Sequence, residues 1–215
     1  MLRTRLMLFA VLAAALALPS IAHAQALGVN YFDNASSTLP DGTVRITTPH
    51  LRVIGTGLLG HGPDQCALIY VLKPDQEIAA CCGCKLTPNQ LLKLSVNNNL
   101  TANTLTGTLT GGGTIAIVPS LPNHPSTAIP PGPATCDAGL PPIATSAVIG
   151  TAFVTAWATH VQDSGAITED DFDFSESLGA RATINALWLE CQTTVQGQGS
   201  GAGVCSCTDT NGVLW

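Results

Sequence analysis

Charge is what this chain has least of. Acidic and basic side chains make up 10% of its 215 residues, against roughly 25% in ordinary soluble domains. Basic residues are the scarcer kind, eight Lys and Arg against 14 Asp and Glu. That balance excludes the basic footprint that nucleic acid and anionic lipid require. Long apolar runs are missing too. The longest, Leu6–Leu18, has 13 residues, short of the ~20 that a helix needs to cross a bilayer. The chain has no Gly-x-Ser-x-Gly elbow, and none of His50, His61, His124 and His160 stands at zinc-ligand spacing from another, so no hydrolase or zinc motif can be named. No cysteine precedes Cys66, which argues against a lipid-anchored lipoprotein.

What is present begins with a leader. Arg3 and Arg5 precede the apolar run, Pro19-Ser20 breaks it, and Ala22-His23-Ala24 supplies small residues where a signal peptidase reads. Residues 1–24 are therefore expected to be a secretory signal peptide, cut after Ala24. Its removal leaves 191 residues with six basic and 14 acidic side chains, a formal charge of −8, enough chain for one domain with a sizeable core. The expected destination is the periplasm, cell surface or extracellular medium.

All eight cysteines then lie in exported chain: Cys66, Cys81, Cys82, Cys84, Cys136, Cys191, Cys205 and Cys207. An even count outside the cytoplasm reads as up to four disulfides. In an extended Cys81–Cys84 segment, Cys82 and Cys84 point to one face and Cys81 to the other. An extended Cys205–Cys207 segment also puts both its cysteines on one face, so two adjacent bridges between cluster and tail are one candidate arrangement. A redox Cys81-x-x-Cys84 pair, a four-sulfur zinc site and a vicinal Cys81–Cys82 bridge are the alternatives.

The polar surface is built from hydroxyls and amides, with 25 threonines, a β-branched residue suited to a half-exposed sheet face. Residues 25–42 read as a polar lead-in ending in the turn Pro40-Asp41-Gly42. Strands are predicted over Thr43–Thr48, Leu51–Ile54, Cys66–Leu72, Glu77–Cys82, Leu91–Val96, Thr114–Val118 and Ile149–Val161, from alternation or short apolar runs between turn signals. On the last, Phe153, Thr155, Trp157, Thr159 and Val161 share a face. Eight of the 14 prolines fall in 119–142, which predicts an extended loop pinned by Cys136. Ala180, Ile184, Leu187, Trp188 and Cys191 form a helical stripe. A helix is predicted over about 176–194, with Ser175 as N-cap and Glu176 near its positive end. Gly197–Gly203 reads as a flexible loop before a Cys205–Cys207 strand. The expected whole is one mainly β, antiparallel, sandwich-like domain over 25–215, stapled by disulfides, with one C-terminal helix.

Candidate chemistry is sparse. The acidic run Glu169, Asp170, Asp171, Asp173 and Glu176 is a weak candidate calcium site, with Asp170, Asp171, Asp173 and Glu176 as its ligands. Asp171-x-Asp173-x-Ser175 starts like an EF-hand loop, but Glu176 stands where that loop needs Gly and Ala182 where it needs Glu. His160 lies near Asp163 in sequence, the only hint of a hydrolytic pair. Asn34 and Asn99 head glycosylation acceptor patterns, and Trp215 is either a partner anchor or a last core residue. No cofactor is implied.

One pattern runs through most of residues 43–207: Cys66-Ala-Leu-Ile-Tyr-Val71, Cys81-Cys-Gly-Cys84, Leu86-Thr-Pro-Asn89, Leu94-Ser-Val-Asn97, Thr135-Cys136-Asp137, Trp157-Ala-Thr-His160 and Cys205-Ser-Cys207. It resembles a group of uncharacterised, exported, cysteine-rich bacterial proteins. Members of that group often carry a His in the last glycine stretch, where Ala202 stands here. The resemblance implies export and a cysteine framework, and no reaction. The leading expectation is a secreted or surface-associated structural or binding module, with an extracellular protein, a glycan or a second copy as partner. The alternative is a secreted hydrolase or metal-dependent enzyme.

Overall fold

The computed structural model describes residues 26–33, 43–47, 64–87, 90–105, 112–123, 135–143, 154–161, 164, 166–175 and 177–207. The leader, Leu51–Ile54, His50, His61, His124, Asp163, Glu176 and Trp215 lie outside them. Among the described residues nine strands make two sheets: β1 (Leu27–Asp33), β2 (Thr43–Thr47), β3 (Gln65–Leu72), β4 (Ile78–Leu86), β5 (Leu91–Ser95), β6 (Gly112–Ser120), β7 (Thr155–Val161), β8 (Ile167–Asp171) and β9 (Asp173–Ser175). One sheet runs β4-β3-β6-β1-β9 and the other β5-β2-β7-β8. Every strand pair is antiparallel. The helix α1 (Leu178–Glu190) continues into a π-type turn over Cys191–Gln196.

The domain has three layers, and β3 shows why. All eight of its residues are buried. Ala67, Ile69 and Val71 join a cluster that draws on both sheets, with Leu92 and Leu94 of β5 and Ala156 and Ala158 of β7. Cys66, Leu68, Tyr70 and Leu72 face the other way, into a cluster with Ala180, Ile184, Leu187 and Cys191 of the helical segment. Period-two alternation thus feeds two cores at once, and the strand reads as a continuous apolar run. β6 does the same, with Ile115 and Ile117 toward the second sheet and Ala116 and Val118 toward α1.

The four disulfides fasten the covering elements to β3 and β4: Cys66–Cys136, Cys81–Cys191, Cys82–Cys205 and Cys84–Cys207. Cluster and tail are joined by two adjacent bridges. They also seal the edge of the sheet. The Cys81 N–H donates to the Gly203 carbonyl at 2.8 Å and the Cys205 N–H to the Cys81 carbonyl at 3.3 Å, so the tail occupies hydrogen-bonding groups that an edge strand otherwise presents to other chains.

Several local expectations need correction. Residues 27–33 of the polar lead-in form β1, whose period-two signal is diluted by Gly28 and by the buried Asn30. The N-cap of α1 is Ser177, whose Oγ accepts from the Ala180 N–H at 3.0 Å; Ser175 pairs with Leu27 in β9 instead. Pro119 and Ser120 continue β6 rather than opening the loop. Pro119 stands opposite Ala67, beyond the last β1 partner Ile117, where a missing N–H leaves no ladder bond on the β1 side unmade. On β7, Thr155, Trp157 and Thr159 share a face as expected, the exposed to half-buried one, while Ala156 and Ala158, with Val154 just before the strand, face the core; Phe153 lies outside the described residues. Cys205–Cys207 is no strand; the tail makes a single parallel bridge, Val204 to Cys81. The Gly197–Gly203 loop is anchored at its end, where the Gly203 N–H donates to the Asn103 carbonyl at 2.6 Å. Asn99 is buried, with its side-chain carbonyl accepting from the Ser95 N–H at 2.8 Å, so its acceptor pattern lies inside the fold.

Candidate functional site

The two sheets exchange chain at one corner. β8 belongs to the four-stranded sheet, β9 to the five-stranded one, and Phe172 is the single residue between them. Phe172 is buried, and its N–H donates to the Ala156 carbonyl at 2.9 Å. β9 pairs only with Leu27, Gly28 and Val29 of β1. The next residue, Asn30, ties the gap. Its Oδ1 accepts from the Tyr31 N–H at 2.8 Å and its Nδ2 donates to the Asp170 carbonyl at 3.3 Å. The result is a solvent-open concavity of about 470 Å³, lined by Val29, Asn30, Tyr31, Thr114, Asp170, Asp171 and Asp173.

The register of β7 and β8 brings in a fourth functional group. His160 stands opposite Thr168, and Asp170 stands opposite Ala158, so His160 and Asp170 are diagonal neighbours on one sheet face. His160 Nε2 lies 3.5 Å from Asp170 Oδ2, with the His160 side chain only 10% exposed. That contact is within ion-pair reach for an imidazolium but makes no hydrogen bond, and Nε2 is buried without a hydrogen-bond partner. The Tyr31 ring stacks on the imidazole, with centroids 4.5 Å apart and planes at 21°.

Three of the four calcium candidates, Asp170, Asp171 and Asp173, line this concavity; Glu176 lies outside the described residues. The carboxylate that meets His160 is Asp170, ten residues away in sequence, whereas the sequence pairs it with Asp163, which is also outside them. Asn30 and Tyr31 carry no sequence signal, since they fall in the stretch read as a polar lead-in. Among the cysteines, the sulfurs of Cys82, Cys84 and Cys207 lie within 4.8 Å of one another. This is the closeness of two neighbouring bridges; all eight sulfurs are paired, and Cys81 is bonded to neither Cys82 nor Cys84. The strongest electrostatic perturbation is away from the corner. Burial, and secondarily the Asp137 carboxylate, pushes the Tyr70 phenol far above its ordinary range, while its hydroxyl donates to the Ala138 carbonyl at 3.0 Å.

Fold and site together define a disulfide-stapled, three-layer β domain with an acidic, histidine-backed concavity where its sheets meet. No family model matches the chain, and neither a curated protein nor a solved structure shows significant similarity to it.

Proposed function

We propose that this is an exported binding or structural module, cut after Ala24 and working in the periplasm, at the cell surface or in the medium, alongside the cysteine-rich bacterial group that it resembles. The pairing of all eight cysteines carries this reading, because such a framework persists where thiols are not kept reduced. The described residues contain no helix long and apolar enough to cross a membrane. The bridges hold α1, the 135–143 segment and the tail against β3 and β4, in the sheet whose far edge, β9, borders the concavity, and a rigid scaffold favours a preorganised binding site. Producing the full chain in a bacterial host, fractionating the cells and determining the N-terminus tests it. The expected product is outside the cytoplasm, begins at Gln25 and has no titratable thiol before reduction. A cytoplasmic product with its leader intact and eight reactive thiols contradicts it.

A further inference from the structure

We infer that the corner concavity binds a divalent transition-metal ion, of the zinc type, between His160 Nε2 and Asp170 Oδ2. The site does not depend on export. Buried imidazole nitrogens ordinarily have a partner, and this one has none; the Asp170 carboxylate oxygen lies 3.5 Å away. That spacing is long for a hydrogen bond. It matches two donors sharing one ion: with metal–nitrogen and metal–oxygen bonds of about 2.0–2.2 Å in a tetrahedral set, the donors lie roughly 3.4 Å apart.

The surroundings favour the same ligand. Asp171 and Asp173 also line the concavity, concentrating negative potential with no basic side chain among the lining residues. Asp171 stands opposite Trp157, on the other face of β8 from Asp170, so water completes the coordination. Asn30 fixes the backbone of Asp170, and Tyr31 holds the imidazole plane by stacking, the kind of outer support that orients metal ligands. The histidine also decides the class of ion. Calcium takes six to eight oxygens, whereas an imidazole beside a carboxylate suits zinc and its neighbours in the transition series. The EF-like acidic run thus supplies one ligand, Asp170, and the other, His160, comes from across the β7–β8 pair.

Calorimetric titration of the oxidised protein, freed of tags and chelators, with Zn²⁺ tests this, with Ca²⁺ as comparator. One Zn²⁺ per chain is expected at the corner, with the His160 ring resonances shifting on addition and Ca²⁺ unable to displace it. His160→Ala and Asp170→Asn should each weaken this binding by roughly ten-fold or more. Asp170 has a 56% exposed side chain, so its substitution leaves the fold intact and decides the matter if His160→Ala does not fold. Zn²⁺ affinity and stoichiometry unchanged in Asp170→Asn overturn the site, as does Ca²⁺ binding there as tightly as Zn²⁺.

Discussion

Cys81 and Cys82 are consecutive on β4, yet their bridges leave opposite faces of the sheet, Cys81 to Cys191 at the end of α1 and Cys82 to Cys205 in the tail. One strand therefore anchors the helical segment on one side of the sheet and the tail on the other. The bridges close loops of 110 and 123 residues, long enough for each to restrict the unfolded chain strongly. Removing either pair, as Cys81→Ser with Cys191→Ser or Cys82→Ser with Cys205→Ser, is expected to cost about 2–5 kcal/mol. Denaturant midpoints checked against the parent protein measure it. The first pair should also raise hydrogen exchange selectively in α1, because the helix loses its covalent tie to the sheet.

Gly83 is needed for closeness rather than for its backbone angles. A Cβ there would come within 2.5 Å of the Cys136 carbonyl carbon and oxygen. Gly83→Ala is expected to destabilise by about 1–3 kcal/mol, the range for overpacking, and to slow formation of the Cys66–Cys136 bridge. Thermal melts and non-reducing peptide maps taken during refolding check both.

Helix α1 has a hydroxyl cap and no acidic residue in its first turn. Ser177→Ala should therefore cost about 1 kcal/mol, while Ser175→Ala should change stability by a few tenths at most on capping grounds. A larger loss at Ser175 in equilibrium unfolding would place the cap where the sequence alone puts it.

Tyr70 links stability to alkaline pH. In the folded chain its phenol stays protonated at pH values where the unfolded chain has ionised. Its contribution is complete below the ordinary tyrosine pKa of about 10 and falls away as pH rises beyond that. The chain has two tyrosines, so in Tyr31→Phe the tyrosinate absorbance reports Tyr70 alone. It should appear together with loss of the folded circular dichroism signal. In Tyr70→Phe the stability loss above pH ~10 should flatten, at the expense of the hydrogen bond to Ala138.

How much of this was readable depended on where each signal was recorded. β3 was legible because both its faces are buried, so a run of seven residues from Cys66 carries the answer in one window. The alternation in Cys-Cys-Gly-Cys pointed to the sides that the bridges take, since a strand has only two. β1 was not legible: Asn30 is buried to serve an inter-sheet hydrogen bond, and inward polarity reads as loop. The cap moved two residues because Ser175 and Ser177 are equally good N-caps, and the pairing of Ser175 with Leu27 decides between them. The corner site was invisible for the same kind of reason. His160 and Asp170 meet through strand register, and Tyr31 comes from a strand well over a hundred residues earlier; neither relationship has a local pattern.

All eight cysteines are paired in a framework with β4 at its centre. Mass mapping of peptides from the non-reduced protein measures this directly. The expected links are Cys66–Cys136, Cys81–Cys191, Cys82–Cys205 and Cys84–Cys207, with no free thiol. A Cys81–Cys82 or Cys81–Cys84 link, or four unbonded thiols among Cys82, Cys84, Cys205 and Cys207, would contradict it.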